Sequence, residues 1–236
     1  MPDVTALLRV GHKGADGIVA GNTPASFDAA LAAGVEMIEF DVLSANVDGT
    51  GDLLVAHDYS AVAGAPTLGE ALAHLGTEPF GDVLFDVDLK LPGYELRTIL
   101  ALREAGLLDR VLISSMYLAS LDLIRGAEPS VRIGLSVPRV RKDYTADRRT
   151  RGLAVAIGVA YRAALPWWAA RAIAAGRFDA IMAHWRLVSP ALVAAIAAAG
   201  GELYVWTVDD APEIGRLRGL GVTGVITNDP RLFAVA

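Results

Sequence analysis

The sequence predicts an α/β fold, a closed (β/α)8 or TIM barrel forming a single domain over residues 1–236, and three observations predict it. Short β-branched runs alternate eight times with alanine- and leucine-rich amphipathic runs. The chain has 236 residues, close to the roughly 250 that eight β–α units take. No linker, low-complexity tract or short-period repeat breaks the alternation. An open doubly wound sheet would also alternate, but it carries a glycine-rich phosphate turn after its first strand. Here that strand ends in Gly11-His12-Lys13-Gly14, which is a different pattern.

The expected strands are Leu8–Gly11, Val35–Val42, Asp82–Leu89, Val111–Ser115, Val131–Val137, Asp179–Ala183, Glu202–Val208 and Gly224–Thr227. Helix signals lie between them. Thr23 before Pro24 is a cap followed by proline at the first helical position, and Gly34 closes that helix. Thr67 with Glu70, and Asp210 with Glu213, have capping-box spacing. Ser189-Pro190 opens a helix that Gly200 ends.

Composition excludes several functions. With no cysteine there is no disulfide framework, thiolate metal site or cysteine nucleophile. A net charge of −6 gives no support to nucleic-acid binding. Apolar residues make up 53% of the chain, yet the most apolar stretch, Gly152 to Tyr161, stops at Arg162. That is short of the roughly 20 residues a bilayer needs. With no signal-like N-terminus, the expectation is a soluble, cytoplasmic protein of undetermined oligomeric state.

In a barrel, functional groups sit where strands run into the following loops. In Val35–Val42, side-chain alternation puts Met37, Glu39 and Asp41 on one face and Ile38, Phe40 and Val42 on the other. The apolar face suits packing under helices, so Glu39 and Asp41 point into the barrel. The third strand repeats this, with Asp86, Asp88 and Lys90 opposite Phe85, Val87 and Leu89. Converging carboxylates repel and lose solvation, so they need a cation or a proton. Glu39, Asp41 and Asp88 are therefore candidate ligands for a hard divalent cation, Mg2+ or Ca2+. The alternative is an internal ion-pair network closed by Lys90 and Lys13, which buried pairs often fail to repay energetically. His12 ends the first strand and His57 follows the extended run Leu53–Ala56. Above a carboxylate cluster they can supply a base and an acid near neutral pH. His74 and His184 have no such context.

These residues resemble the glycerophosphodiester phosphodiesterase family. The family's His-Arg-Gly opening is matched by His12-Lys13-Gly14, and its Glu-Asn-Thr segment by Gly21-Asn22-Thr23. Its Glu-x-Asp strand is matched by Glu39 and Asp41, its His-Asp pair by His57-Asp58, and its Glu-x-Lys by Asp88-Leu89-Lys90. Val205-Trp206-Thr207-Val208 and the close from Gly221 to Pro230 match the rest in order. The resemblance implies a phosphoric diester hydrolase that releases glycerol 3-phosphate and an alcohol from a small-molecule phosphodiester. Glu39, Asp41 and Asp88 would hold the metal and His12 and His57 would be the acid–base pair. Lys13 and Lys90 would face the phosphate, and Trp206 would wall the glycerol or head group. Lys13 stands for an arginine, Gly21 for a glutamate and Asp88 for a glutamate. The insertion after the second strand is short or absent, which predicts an open mouth. Two other functions stay open: a phospholipase D-like enzyme acting on lysophospholipids, or a non-catalytic barrel binding a phosphorylated ligand.

Two features lie outside these motifs. Arg139, Arg141, Lys142, Arg148, Arg149 and Arg151 cluster after the fifth expected strand, as a solvated loop or as a gatherer of anions or a lipid surface. Trp167-Trp168 follows Pro166, as helix packing or as an interfacial or dimer contact.

Overall fold

The computed structural model describes residues 7–139 and 151–236. Its strands are β1 (Leu8–Gly11), β2 (Met37–Ser44), β3 (Leu53–Leu54), β4 (Leu84–Leu89), β5 (Val111–Ser115), β6 (Arg132–Val137), β7 (Ala180–His184), β8 (Glu202–Trp206) and β9 (Gly224–Thr227). Its helices are α1 (Pro24–Ala32), α2 (Leu68–Leu75), α3 (Glu95–Glu104), α4 (Leu118–Ala127), α5 (Arg151–Ala174), α6 (Pro190–Ala198) and α7 (Ala211–Leu220). A 3-10 turn, Pro230–Ala234, takes the place of an eighth helix. The parallel strands run β1-β9-β8-β7-β6-β5-β4-β2, and a β1–β2 pairing closes the ring. The short β3 pairs antiparallel with β2, outside the ring. This is the expected (β/α)8 barrel. Among the described residues, no helix is long and apolar enough to cross a membrane.

Strand alternation sorts the core into two. Val10, Met37, Leu112, Ala180, Met182, Tyr204 and Ile226 fill the interior of the ring. Ile38, Phe40, Val42, Phe85, Val87 and Leu89 point outward and pack with the helices. Phe40 meets Phe27 of α1 at 5.8 Å between ring centroids and Phe85 at 6.5 Å, tilted arrangements that aromatic quadrupoles favour. Apolar residues thus sit below and around the inward acids of β2 and β4, and the polar layer lies at the strands' C-terminal ends.

Local signals account for the helix ends. Thr23 and Ser26 cap α1 reciprocally, and Thr67 and Glu70 do the same for α2. Ser189 accepts from the Leu192 amide at α6. The expected box at α7 is only half made. Asp210 accepts from the Glu213 amide at 2.9 Å, but the Glu213 carboxylate turns to Arg216 at 2.6 Å. An arginine one turn along offers it two charged donors, which outcompete a single backbone N–H.

Strand bounds shift at the edges. β2 begins at Met37, with the Glu36 carboxylate just ahead of it accepting the Arg9 Nε–H at 2.9 Å, and it runs on to Ser44 because Leu43 and Ser44 pair with β3. After β1 the chain folds back so tightly that a Cβ at Gly11 would lie 2.0 Å from the Gly14 carbonyl oxygen. Gly14 itself sits at φ +81°, with the Ser26 backbone 2.6 Å from where its Cβ would be. The two glycines let the β1 turn wrap over the start of α1 and bring Lys13 and Asn22 against β2.

Candidate active site

A cavity of about 180 Å3 opens at the C-terminal ends of the strands. His12, Glu39, His57, Asp86, Asp88, Lys90, Ser114 and Ser136 make its polar side, and Met116, Met182, Trp206 and Ile226 its apolar side.

The β2–β4 register aligns Glu39 with Asp86 and Asp41 with Asp88. Oxygens from Glu39, Asp41 and Asp88 lie within 4.8 Å of one another. Glu39 and Asp41 are held from behind. Glu39 Oε2 accepts the Lys13 backbone N–H at 2.8 Å. Asp41 Oδ2 accepts the Asn22 side-chain amide at 2.8 Å, and Asn22 Oδ1 accepts the Asp41 backbone N–H at 3.2 Å. Lys13 and Asn22 adopt φ of +49° and +59° to do this, a conformation that costs about 1 kcal/mol or more per non-glycine residue.

Lys90 Nζ stands 2.5 Å from both Asp41 Oδ1 and Asp88 Oδ2. The pair network foreseen as the alternative to a metal is therefore present in part. One ammonium does not balance the site. Burial and the neighbouring Asp41 charge push the Glu39 carboxyl well above the ordinary carboxylate range. Burial also pushes Asp41 up, but the Lys90 ammonium and the Asn22 amide outweigh it and hold Asp41 at about 2. Asp86, beneath them, is pushed up to about 8 by burial and then by the Asp88 charge. Its Oδ1 has no hydrogen-bond partner. Surplus negative charge, an all-oxygen donor set and the absence of thiolate fit a hard divalent cation.

His12 is aimed by residues from the far end of the chain. Asp209 accepts the Asn228 backbone N–H at 2.8 Å and its side-chain amide N–H at 2.6 Å. That leaves Asn228 Oδ1 for His12 Nδ1, 2.6 Å away. An amide oxygen accepts, so Nδ1 carries the proton and Nε2 keeps a free lone pair. Nε2 lies 3.8 Å from Glu39 Oε2. Burial lowers the His12 pKa, partly offset by the Asn228 bond, so the ring is neutral near pH 7. His57 lies at the wet rim with Nδ1 3.2 Å from Asp58 Oδ2. The Ser60 hydroxyl, together with His57, holds Asp58 at about 2.

Trp206 donates through Nε1 to the Met182 carbonyl at 2.7 Å, and the His184 ring meets it edge-on at 5.2 Å. His184 thus braces the Trp206 wall. His74 bonds Asp28 at 2.8 Å on the outer helices.

Six of the eight residues singled out from the sequence line the cavity: His12, His57, Glu39, Asp88, Lys90 and Trp206. Asp41 is fully buried behind them and reaches the cluster with its oxygens. Lys13 is placed otherwise. Its ammonium lies 3.7 Å from Asp16 Oδ2, because Gly21 has no side chain and Asp16 packs over it, accepting the Gly21 amide at 2.8 Å. Asn22, Asp209 and Asn228 were not singled out as site residues. Asn22 and Asn228 lie inside quoted motifs, whereas Asp209 has no local signal. Of the basic cluster, Arg139 stacks on Tyr117 at 4.3 Å, while Arg141, Lys142, Arg148 and Arg149 lie outside the described residues. The tryptophan pair splits, with Trp168 beside Phe178 at 6.2 Å and Trp167 exposed.

Comparison with known proteins identifies the family. The chain is 27% identical over 264 aligned residues to a glycerophosphodiester phosphodiesterase of Caldanaerobacter subterraneus, covering 94% of each. Among solved structures it resembles a glycerophosphodiester phosphodiesterase from Parabacteroides distasonis, with a TM-score of 0.71 at 16% identity, covering 94% of this chain and 92% of that one. It also resembles an Oleispira antarctica phosphodiesterase in complex with the product sn-glycerol-3-phosphate, with a TM-score of 0.67 at 20% identity, covering 96% and 95%. The profile of the glycerophosphoryl diester phosphodiesterase family matches residues 82–232, and the chain belongs to that family.

Proposed function

We propose that this barrel, acting as one domain, is a phosphoric diester hydrolase that splits a glycerophosphodiester into glycerol 3-phosphate and an alcohol. The observation that carries the reading is the Glu39, Asp41 and Asp88 cluster facing a neutral His12 whose Nε2 is free. Glu39, Asp41 and Asp88 would hold Mg2+ or Ca2+, which when bound draws on a phosphate oxygen and offsets the charge that builds there.

The remaining chemistry belongs to the side chains. His12 Nε2 takes the proton of the attacking group, either water or the substrate's own glycerol hydroxyl with water then opening the cyclic phosphate, and its Nδ1–H bond to Asn228 supports the imidazolium that forms. As the new O–P bond forms, the O–P bond to the head-group alcohol breaks. His57, held at the rim by Asp58, gives the departing alkoxide its proton. Lys90 pairs with Asp41 and Asp88, holds Asp41 ionised, and presents positive charge toward the phosphate. Trp206, Met116 and Met182 exclude water from the far side of the cavity.

Incubation with glycerophosphocholine and Mg2+ or Ca2+ should release glycerol 3-phosphate, followed by phosphorus NMR. His12→Ala should abolish turnover and leave metal binding, measured by calorimetry, nearly intact. Intact substrate across a panel of head groups, with every metal tried, overturns the assignment.

A further inference from the structure

α5 is two different helices joined end to end. Its second half carries a buried stripe, Leu165, Ala169 and Ile173, spaced four apart and packed on the barrel. Before Leu165 the described side chains form no such stripe. All eight residues from Ile157 to Ala164 are exposed, more than two full turns at about 3.6 residues each. Their side chains are apolar except for Arg162, and Ile157 and Val159 are 59% and 65% accessible.

The position of this half follows from one contact. Arg162 Nη2 donates to the Val188 carbonyl at 2.9 Å, and Val188 lies in the connection that leaves the C-terminal end of β7. Arg162 is therefore level with the rim of the mouth, and the helix ahead of it projects beyond the barrel by about 1.5 Å per residue. It projects on the face that carries His12, His57 and the three carboxylates.

Charge selects what covers it. α5 contains three arginines and no acid, within a chain of net charge −6. The exposed Trp167 has the Arg171 guanidinium 5.9 Å from its ring centroid. An apolar, solely basic helix edged by tryptophan and arginine matches the chemistry of an anionic lipid interface. A second copy packed helix against helix would bring two basic segments together with no acid within α5 to answer them. Residues 140–150 contain only Val140, Tyr144 and Ala146 as apolar side chains, too few to cover two turns all round.

We propose that the projecting half of α5 docks this protein on anionic phospholipid surfaces, with the barrel mouth facing the membrane. The docking stands apart from the proposed hydrolysis, because its test reads binding rather than turnover. The full chain is sedimented with phosphatidylcholine vesicles, with and without phosphatidylglycerol. Binding to the phosphatidylglycerol vesicles is expected, weakened by added salt. Losing one arginine's contribution should cost roughly fivefold. The double variant Ile157→Glu/Val159→Glu should lose at least about tenfold in vesicle affinity and keep the parent's melting temperature. Absence of sedimentation with phosphatidylglycerol vesicles, or equal sedimentation of the double variant, overturns the proposal. So does a dimer, seen by ultracentrifugation, that the same substitutions dissolve while vesicles go unbound.

Discussion

Asp86→Asn should stabilise the fold at alkaline pH and do so progressively less as the pH falls. Asp86 is 1% exposed, faces Glu39 across the β2–β4 register and has its carboxyl pushed from 3.8 up to about 8. Between these values the unfolded chain has released the proton while the folded chain still holds it. The native state then binds more protons, so stability falls as pH rises through this window. Each pH unit costs about 1.4 kcal/mol, so about 3 to 4 kcal/mol is lost between roughly pH 5 and 8. An amide of the same shape carries no charge and escapes this loss. The check is urea unfolding of both proteins at the two pH values, with a chelator present so that no cation ionises the cluster. Groups that titrate alike in both proteins cancel in the difference. A stability difference that stays flat across the range refutes the assignment of a buried, proton-holding Asp86.

Asn228→Leu removes the acceptor that aims His12. It should lower kcat by about 10- to 100-fold with little change in KM, and a steady-state profile unchanged from the parent would show that Asn228 does not aim the ring. Gly21→Ala places a Cβ 2.7 Å from both Asp16 Oδ1 and Lys13 Cβ. It should cost about 1–3 kcal/mol through overpacking, read as a lower melting temperature. Adding Asp16→Ala should recover part of that loss, and strictly additive effects would count against the contact.

The barrel and its inward acids were legible because both follow from short-range rules. Strand alternation alone put Glu39, Asp41, Asp86, Asp88 and Lys90 on the inner face, and three strands, Leu8–Gly11, Val111–Ser115 and Gly224–Thr227, have the expected bounds. What escaped depends on neighbours distant in sequence or on competition among partners. Asp209 acts through Asn228, and nothing nearby in the chain marks a residue whose role is to orient another. Lys13 turns to Asp16 only because Gly21 leaves room, a three-body effect that no single position announces. Glu213 chose Arg216 over the α7 cap because charge outbid a backbone donor. The projecting half of α5 was visible as an apolar stretch, but its lack of a partner could be seen only once the barrel around it was in place.

The histidine just past the first strand takes its orientation from an amide just past the last one, 216 residues away. A polypeptide still emerging from the ribosome with β1 through β8 made would own the base and the carboxylates but leave the imidazole free to swivel. On the proposed mechanism, competence to cleave would arrive with ring closure itself, and a half-built enzyme would be kept idle by topology rather than by an inhibitor. Joining two cloned fragments, one ending before β9 and the other supplying it, would switch the imidazole into line in a single association step.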